Sequence, residues 1–148
     1  MIKKAVIISS QLVQDQEFVY PYYRLLEEEF DIDVCLTEGD LVKGFQGISI
    51  PPNKNQRIIT PDSLDESKYN FCVLPGGVKS MEKIRLIDPI IKFISDFDKN
   101  KKVIACICSA AQLLISARIV KNRYVSGYYS MKDDLENAGA IYTDKPAV

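Results

Sequence analysis

The feature that most constrains this chain is the spacing of its short apolar runs. Residues 5–9, 71–74 and 103–107 are rich in Val, Ile, Leu and Ala and are bounded by polar residues or Gly/Pro signals. Amphipathic stretches separate them. Phe18, Tyr22, Leu25 and Leu26 share a helical face after the first run, and Ile90, Ile91, Ile94 and Phe97 share one before the third. Strand-length runs without polar alternation are buried on both faces, and their alternation with helical patterns predicts βαβ units around a mostly parallel sheet. A length of 148 residues suits one such domain with its own core.

Local signals fill in the remaining elements. Asp15 is placed to cap the first helix, and Pro21 within that helix predicts a bend or a later start. Ile32, Val34 and Leu36 alternate as a second strand. Residues 39–61 carry Gly and Pro punctuation with short apolar pieces, which predicts a small hairpin or arm. Asp88-Pro89 is a helix start, with proline in the first turn. A helix over 109–117 follows the third run directly. Residues 124–127 read as a short strand, 131–138 as a helix closed by Gly139 in a left-handed cap, and Ile141-Tyr142 as the start of a last strand.

Composition excludes several function classes. A net charge of −1 gives no electrostatic footprint for nucleic acid, and the basic cluster at 99–102 reads as a solvated helix end. No run approaches the roughly 20 apolar residues of a membrane span. The first eight residues resemble a short signal peptide but lack its cleavage pattern, so they read as a first strand, and a cytoplasmic location is expected. Cysteines 35, 72, 106 and 108 form neither a disulfide framework nor a metal-ligand spacing. There is no histidine, which rules out a Ser-His-Asp triad, a Cys-His dyad within the chain and imidazole metal sites. No metal or organic cofactor is expected.

In an open parallel sheet, ligands gather beyond the carboxyl ends of the strands. Three features fall there: the loop over 9–15, Pro75-Gly76-Gly77, and Cys108 at a strand-to-helix turn. A thiol at a helix start meets free backbone N–H groups that lower its pKa, and the small Ser109, Ala110 and Ala111 leave room for a nucleophile elbow. Cys106, two residues back, points to the same face one pleat deeper and reads as core. Gly76-Gly77 either presents an N–H to an oxyanion beside Cys108 or simply makes a turn needing positive φ.

Several blocks together are similar to the PfpI-like intracellular proteases of the ThiJ/PfpI branch, within the class I glutamine-amidotransferase-like superfamily. They are Tyr20-Pro21-Tyr22-Tyr23-Arg24-Leu25, Leu74-Pro75-Gly76-Gly77, the stretch 112–117 and the stretch 132–140. The resemblance implies a flavodoxin-like three-layer sandwich, a homo-oligomer, and a cysteine hydrolase (peptidase or amidase) acting on a peptide or small-molecule substrate. It selects Cys108 as the nucleophile, and Gly77 and Ser109 as oxyanion-hole N–H donors. It also implies a domain that here lacks the family's C-terminal strand and helix.

The departures from the family pattern bear on chemistry. The family histidine after the nucleophile is Ser109, the acid beside the thiol aligns with Gln14, and the arginine after Pro-Gly-Gly is Val78. Glu82 resembles a residue that orients the missing histidine from a neighbouring subunit, one position late. Without histidine and acid, proteolysis loses general acid–base help, typically worth roughly 10² to 10⁴ in rate. Small-aldehyde chemistry of the glyoxalase or deglycase kind also needs a proton carrier, for which Tyr128 and Glu17 are the available residues. The other readings are a redox-sensing or stress-response thiol at Cys108 and a degenerate binding scaffold.

Overall fold

The computed structural model describes residues 3–50 and 57–148. Five parallel strands form the main sheet: β1 (Lys4–Ser9), β2 (Asp31–Leu36), β5 (Arg57–Ile59), β6 (Phe71–Leu74) and β7 (Val103–Cys106). Their order is β5-β2-β1-β6-β7. Ala5 stands between Ile32 of β2 and Phe71 of β6, and Leu74 pairs with Cys106 of β7. The chain winds outward from β1 to β2 and β5, then crosses back to β6 on the other side of β1. The carboxyl ends of β1 and β6 therefore form the topological switch point at which open α/β sheets bind ligands.

Both faces of the sheet are covered. On one, Ala5, Ile7, Val34 and Val73 meet Phe18, Tyr22 and Leu25 of α1 (Asp15–Glu27). On the other, Val6, Ile8, Cys35, Cys72 and Leu74 meet three helices. These are α2 (Val78–Ile84), α3 (Asp88–Lys99) and α4 (Ala111–Ser116). The result is the expected three-layer, flavodoxin-like sandwich. A third cluster, with Ala111, Val120, Val125, Met131 and Leu135, seats a smaller unit made of α5 (Lys132–Asn137) and the parallel pair β8 (Tyr124–Val125) and β9 (Ile141–Tyr142).

Several local expectations need correction. Gln14, not Asp15, precedes the first helical residue, and it caps without a side-chain bond. The buried Asp15 carboxylate instead accepts the backbone N–H groups of Gln46 (2.9 Å) and Ile48 (3.3 Å). Pro21 neither delays nor ends α1, which runs through it to Glu27, because the packing of Phe18, Tyr22 and Leu25 outweighs one lost backbone bond. The predicted arm exists as the antiparallel pair β3 (Val42–Lys43) and β4 (Ser49–Ile50), while β5 leaves it to join the main sheet. Residues 51–56 of that stretch lie outside the described residues. Helix α2 had no signal of its own in the sequence.

At the opposite end of the sheet from the switch point, the buried Asp33 of β2 gathers a polar cluster. Tyr69 donates to it at 2.8 Å, Lys4 Nζ lies at 3.0 Å and Arg57 Nε at 2.6 Å. Burial pushes this carboxyl up, but the Lys4 and Tyr69 hydrogen bonds with the Lys4 and Arg57 charges outweigh it and hold it below its ordinary value. No helix among the described residues is long and apolar enough to cross a membrane.

Candidate active site

Three loops meet at the switch point. After β1, residues 10–14 cross the end of the sheet, and the Gln14 N–H donates to the Gly76 carbonyl at 3.1 Å. After β6 the chain passes through Gly76 and Gly77, where close approach leaves no room for side chains. A Cβ on Gly77, at φ 106°, would lie 2.7 Å from the Gln14 nitrogen. A Cβ on Gly76 would lie 2.6 Å from Glu17 Oε2 and 3.0 Å from the Cβ of Cys108. The turn reading thus has its physical basis in Gly77, while the Gly76 N–H is taken by Glu17 and the Gly77 N–H by Ser109, so the pair directs neither donor at an oxyanion beside Cys108.

Cys108 stands at the end of β7. The Ile107 N–H still bonds the Leu74 carbonyl at 3.1 Å, and the chain then turns sharply, with Cys108 at φ 58° opening a 3₁₀ turn that leads into α4. A non-glycine residue in this left-handed region costs about 1–2 kcal/mol. The buried Ser109 and Ala110 leave the turn room to pack.

The acid beside the thiol is Glu17, not residue 14. The Gln14 amide donates to Gln16 Oε1 at 3.2 Å, away from the sulfur. Glu17, in the first turn of α1, reaches inward over Gly76, accepts its N–H at 2.8 Å and lies close enough to Cys108 for its charge to raise the thiol. Residue 17 lies one helical turn beyond residue 14, next to the fully buried Phe18. Matching the acid by its place in a short motif missed this. No periodic signal singles it out, because one turn back along the Phe18, Tyr22 and Leu25 face falls on residue 14, and only the close packing at Gly76 brings Glu17 beside Cys108.

The electrostatics correct a second expectation. Burial pushes the Cys108 thiol up, the Glu17 charge adds to this, and the Ser109 N–H and hydroxyl pull it down by less. The net direction is upward, because α4 is only six residues long and begins after the 3₁₀ turn, while burial and the Glu17 charge both act against the thiolate. Cys106, deeper in β7, is pushed up further by burial and packs in the core.

The remaining candidates divide. Ser109 Oγ accepts the Gly77 N–H at 3.0 Å, so both residues join the site, but this N–H is directed at a hydroxyl and not into open space. Tyr128 joins through its backbone, donating to the Cys108 carbonyl at 3.2 Å. Glu82 sits on the exposed side of α2, with Lys79 Nζ 3.3 Å from its carboxylate, and does not enter the cluster. Among the described residues no group of three or more Cys, Asp, Glu or His is arranged to hold a metal. The cluster can therefore move one proton between sulfur and carboxylate beside an open cysteine, with two small-residue turns around it.

Known proteins are similar to this chain in sequence and in fold. The chain is 30% identical over 145 residues to the deglycase PfpI of Pyrococcus furiosus, covering 98% of this chain and 84% of that one. It is 32% identical over 152 residues to general stress protein 18 of Bacillus subtilis, covering all of this chain and 84% of the relative. A solved two-domain protein from Anabaena variabilis, with DJ-1/ThiJ/PfpI-like and ferritin-like domains, superposes with a TM-score of 0.89 at 27% identity, over 99% of this chain and 41% of that one. With the family model matching residues 3–148 on a five-stranded parallel sheet, the chain belongs to the DJ-1/PfpI family.

Proposed function

We propose that this protein is a Cys108-dependent enzyme acting on small aldehydes or their adducts, in the manner of the relatives named deglycases, with Glu17 as its proton carrier. The observation that carries this reading is the approach of the Glu17 carboxylate and Cys108 at Gly76, whose N–H the carboxylate accepts at 2.8 Å and where an added Cβ would lie 2.6 Å from Glu17 Oε2 and 3.0 Å from the Cys108 Cβ. In the resting pair the sulfur holds the proton. Addition to an aldehyde forms the S–C bond while the carbonyl π electrons pass to oxygen. The thiol proton moves to Glu17 and from there to that oxygen, giving a hemithioacetal with no other reactant consumed. One acid serves as base and then as acid, so this step needs no histidine.

Proteolysis fits less well. Expelling an amine requires a second proton delivered on the leaving-group side, and the serine at position 109 offers no titrating group near neutral pH. A redox reading has one observation in its favour: the Ser109 N–H and hydroxyl both face the sulfur and would hold an oxygen placed there. In that chemistry the thiolate attacks peroxide, an S–O bond forms, the O–O bond breaks and hydroxide leaves.

Turnover of a small 2-oxoaldehyde by the wild type, Glu17→Gln and Cys108→Ser distinguishes these readings. Loss of activity in Cys108→Ser and a drop of about 10² to 10⁴ in kcat for Glu17→Gln are expected. Equal consumption by all three proteins would refute the enzyme. A protein that gains oxygen at Cys108 under mild peroxide but turns over no aldehyde would be the thiol sensor.

A further inference from the structure

Beside Cys108 stand two tyrosines with no packing role to explain them. Tyr128 and Tyr129 are 43% and 73% exposed, and their ring centroids lie 4.5 Å apart with planes inclined at 43°. Aromatic side chains of this size ordinarily bury much of their surface, so two adjacent exposed rings at a reactive thiol call for a purpose.

The backbone beneath them is fixed. The Tyr128 N–H is bonded to the Cys108 carbonyl, and the Met131 N–H bonds the Tyr128 carbonyl at 2.8 Å, closing a 3₁₀ turn. Met131 is buried in the third core cluster. At Gly127 an added Cβ would meet Ala111 at 3.3 Å and the Cys108 carbonyl oxygen at 3.4 Å, so this segment lies directly against the elbow. The backbone that carries the rings is thus fixed against the Cys108 turn. The Tyr128 phenol is raised by Tyr129 and, to a smaller extent, by Cys108, and both rings keep much of their surface open to solvent beside the thiol.

We propose that the Tyr128–Tyr129 pair is a specificity-determining shelf that selects ligands carrying a flat aromatic group close to the carbon Cys108 attacks. The proposal rests on Cys108 being the reacting group of this site. A ring seated on Tyr129 gains offset or edge-to-face contact, and the fixed turn spares it the cost of ordering the shelf. Tyr129 contributes the more exposed surface and Tyr128 links it to the elbow.

The test compares two alkylating probes, iodoacetamide and N-benzyl-iodoacetamide, by intact-mass kinetics on the whole protein. In both, the sulfur forms a bond to the methylene carbon and iodide leaves, so the chemistry is shared and only the ring differs. Rates are divided by those of the same reagents with free glutathione. The expected result is a preference for the benzyl probe of about 3- to 10-fold at Cys108, lost in Tyr129→Ala and retained in Tyr129→Phe. An equal ratio in the wild type and Tyr129→Ala overturns the shelf, as does a wild type without preference. Iodoacetamide failing to label Cys108 at all would instead remove the reactive-thiol reading, and the shelf with it.

Discussion

At the scale of single residues, the meeting of Glu17 and Cys108 decides the chemistry. The carboxylate charge is one of the causes that hold the thiol above its ordinary value, so replacing it with a neutral amide lowers that value and enlarges the thiolate fraction at neutral pH. Glu17→Gln is therefore expected to alkylate faster with iodoacetamide at pH 7 while turning over substrate more slowly. A pH series of alkylation rates checks the first half, and a mutant that alkylates at pH 7 no faster than the wild type would exclude the contact. Asp33 makes the opposite case. Its folded pKa is depressed, so its contribution to stability is complete above the unfolded value of about 3.9 and is lost as pH falls through the lower folded value. Asp33→Asn should cost about 1–3 kcal/mol at pH 7, and urea midpoints of the wild type and mutant should converge in acid.

Among the elements, the arm β3–β4 depends on one buried side chain. Asp15 accepts the Gln46 and Ile48 N–H groups, and the strap is completed by Leu12 N–H to the Lys43 carbonyl (2.8 Å) and Phe45 N–H to the Val13 carbonyl (2.8 Å). The same loop holds Gly76 from its other side, so the arm braces the turn from which Glu17 departs. Asp15→Ala should speed amide hydrogen exchange at Gln46 and Ile48 and leave the β1 amides unchanged. This scale also shows what a sequence reveals. Runs such as 71–74 and 103–107 announced buried strands because apolar continuity needs no partner to be seen, and Gly139, at φ 89°, announced its cap. Helix α2 was silent because its seven residues bury only Ser80, Met81 and Ile84, too few for a periodic signal. The acid at position 17 was visible in the sequence as an available proton carrier, but helix phase does not separate it from Gln14 one turn earlier, and only the packing of the loops at Gly76 does.

For the whole molecule, burial sorts the four thiols. Cys35 and Cys72 are fully buried, with the first pushed up to about 12 by burial and the second raised well above its ordinary value. Cys106 is raised by the same cause. Native protein treated briefly with iodoacetamide should gain a single adduct, at Cys108, and four adducts after unfolding. Labelling of the fully buried Cys35 or Cys72 in the native protein would mean that the sheet opens on the labelling timescale.

The strand order carries one more consequence, in time instead of space. Glu17 follows β1, Gly76 follows β6 and Cys108 follows β7, so the groups that govern this sulfur come from separate stretches of chain and meet only after the central strands have paired. Until then Cys108 is an ordinary exposed thiol, open to any oxidant or electrophile in its surroundings. A newly made or refolding chain thus passes through a window of vulnerability that closes when β7 has joined the paired β1 and β6.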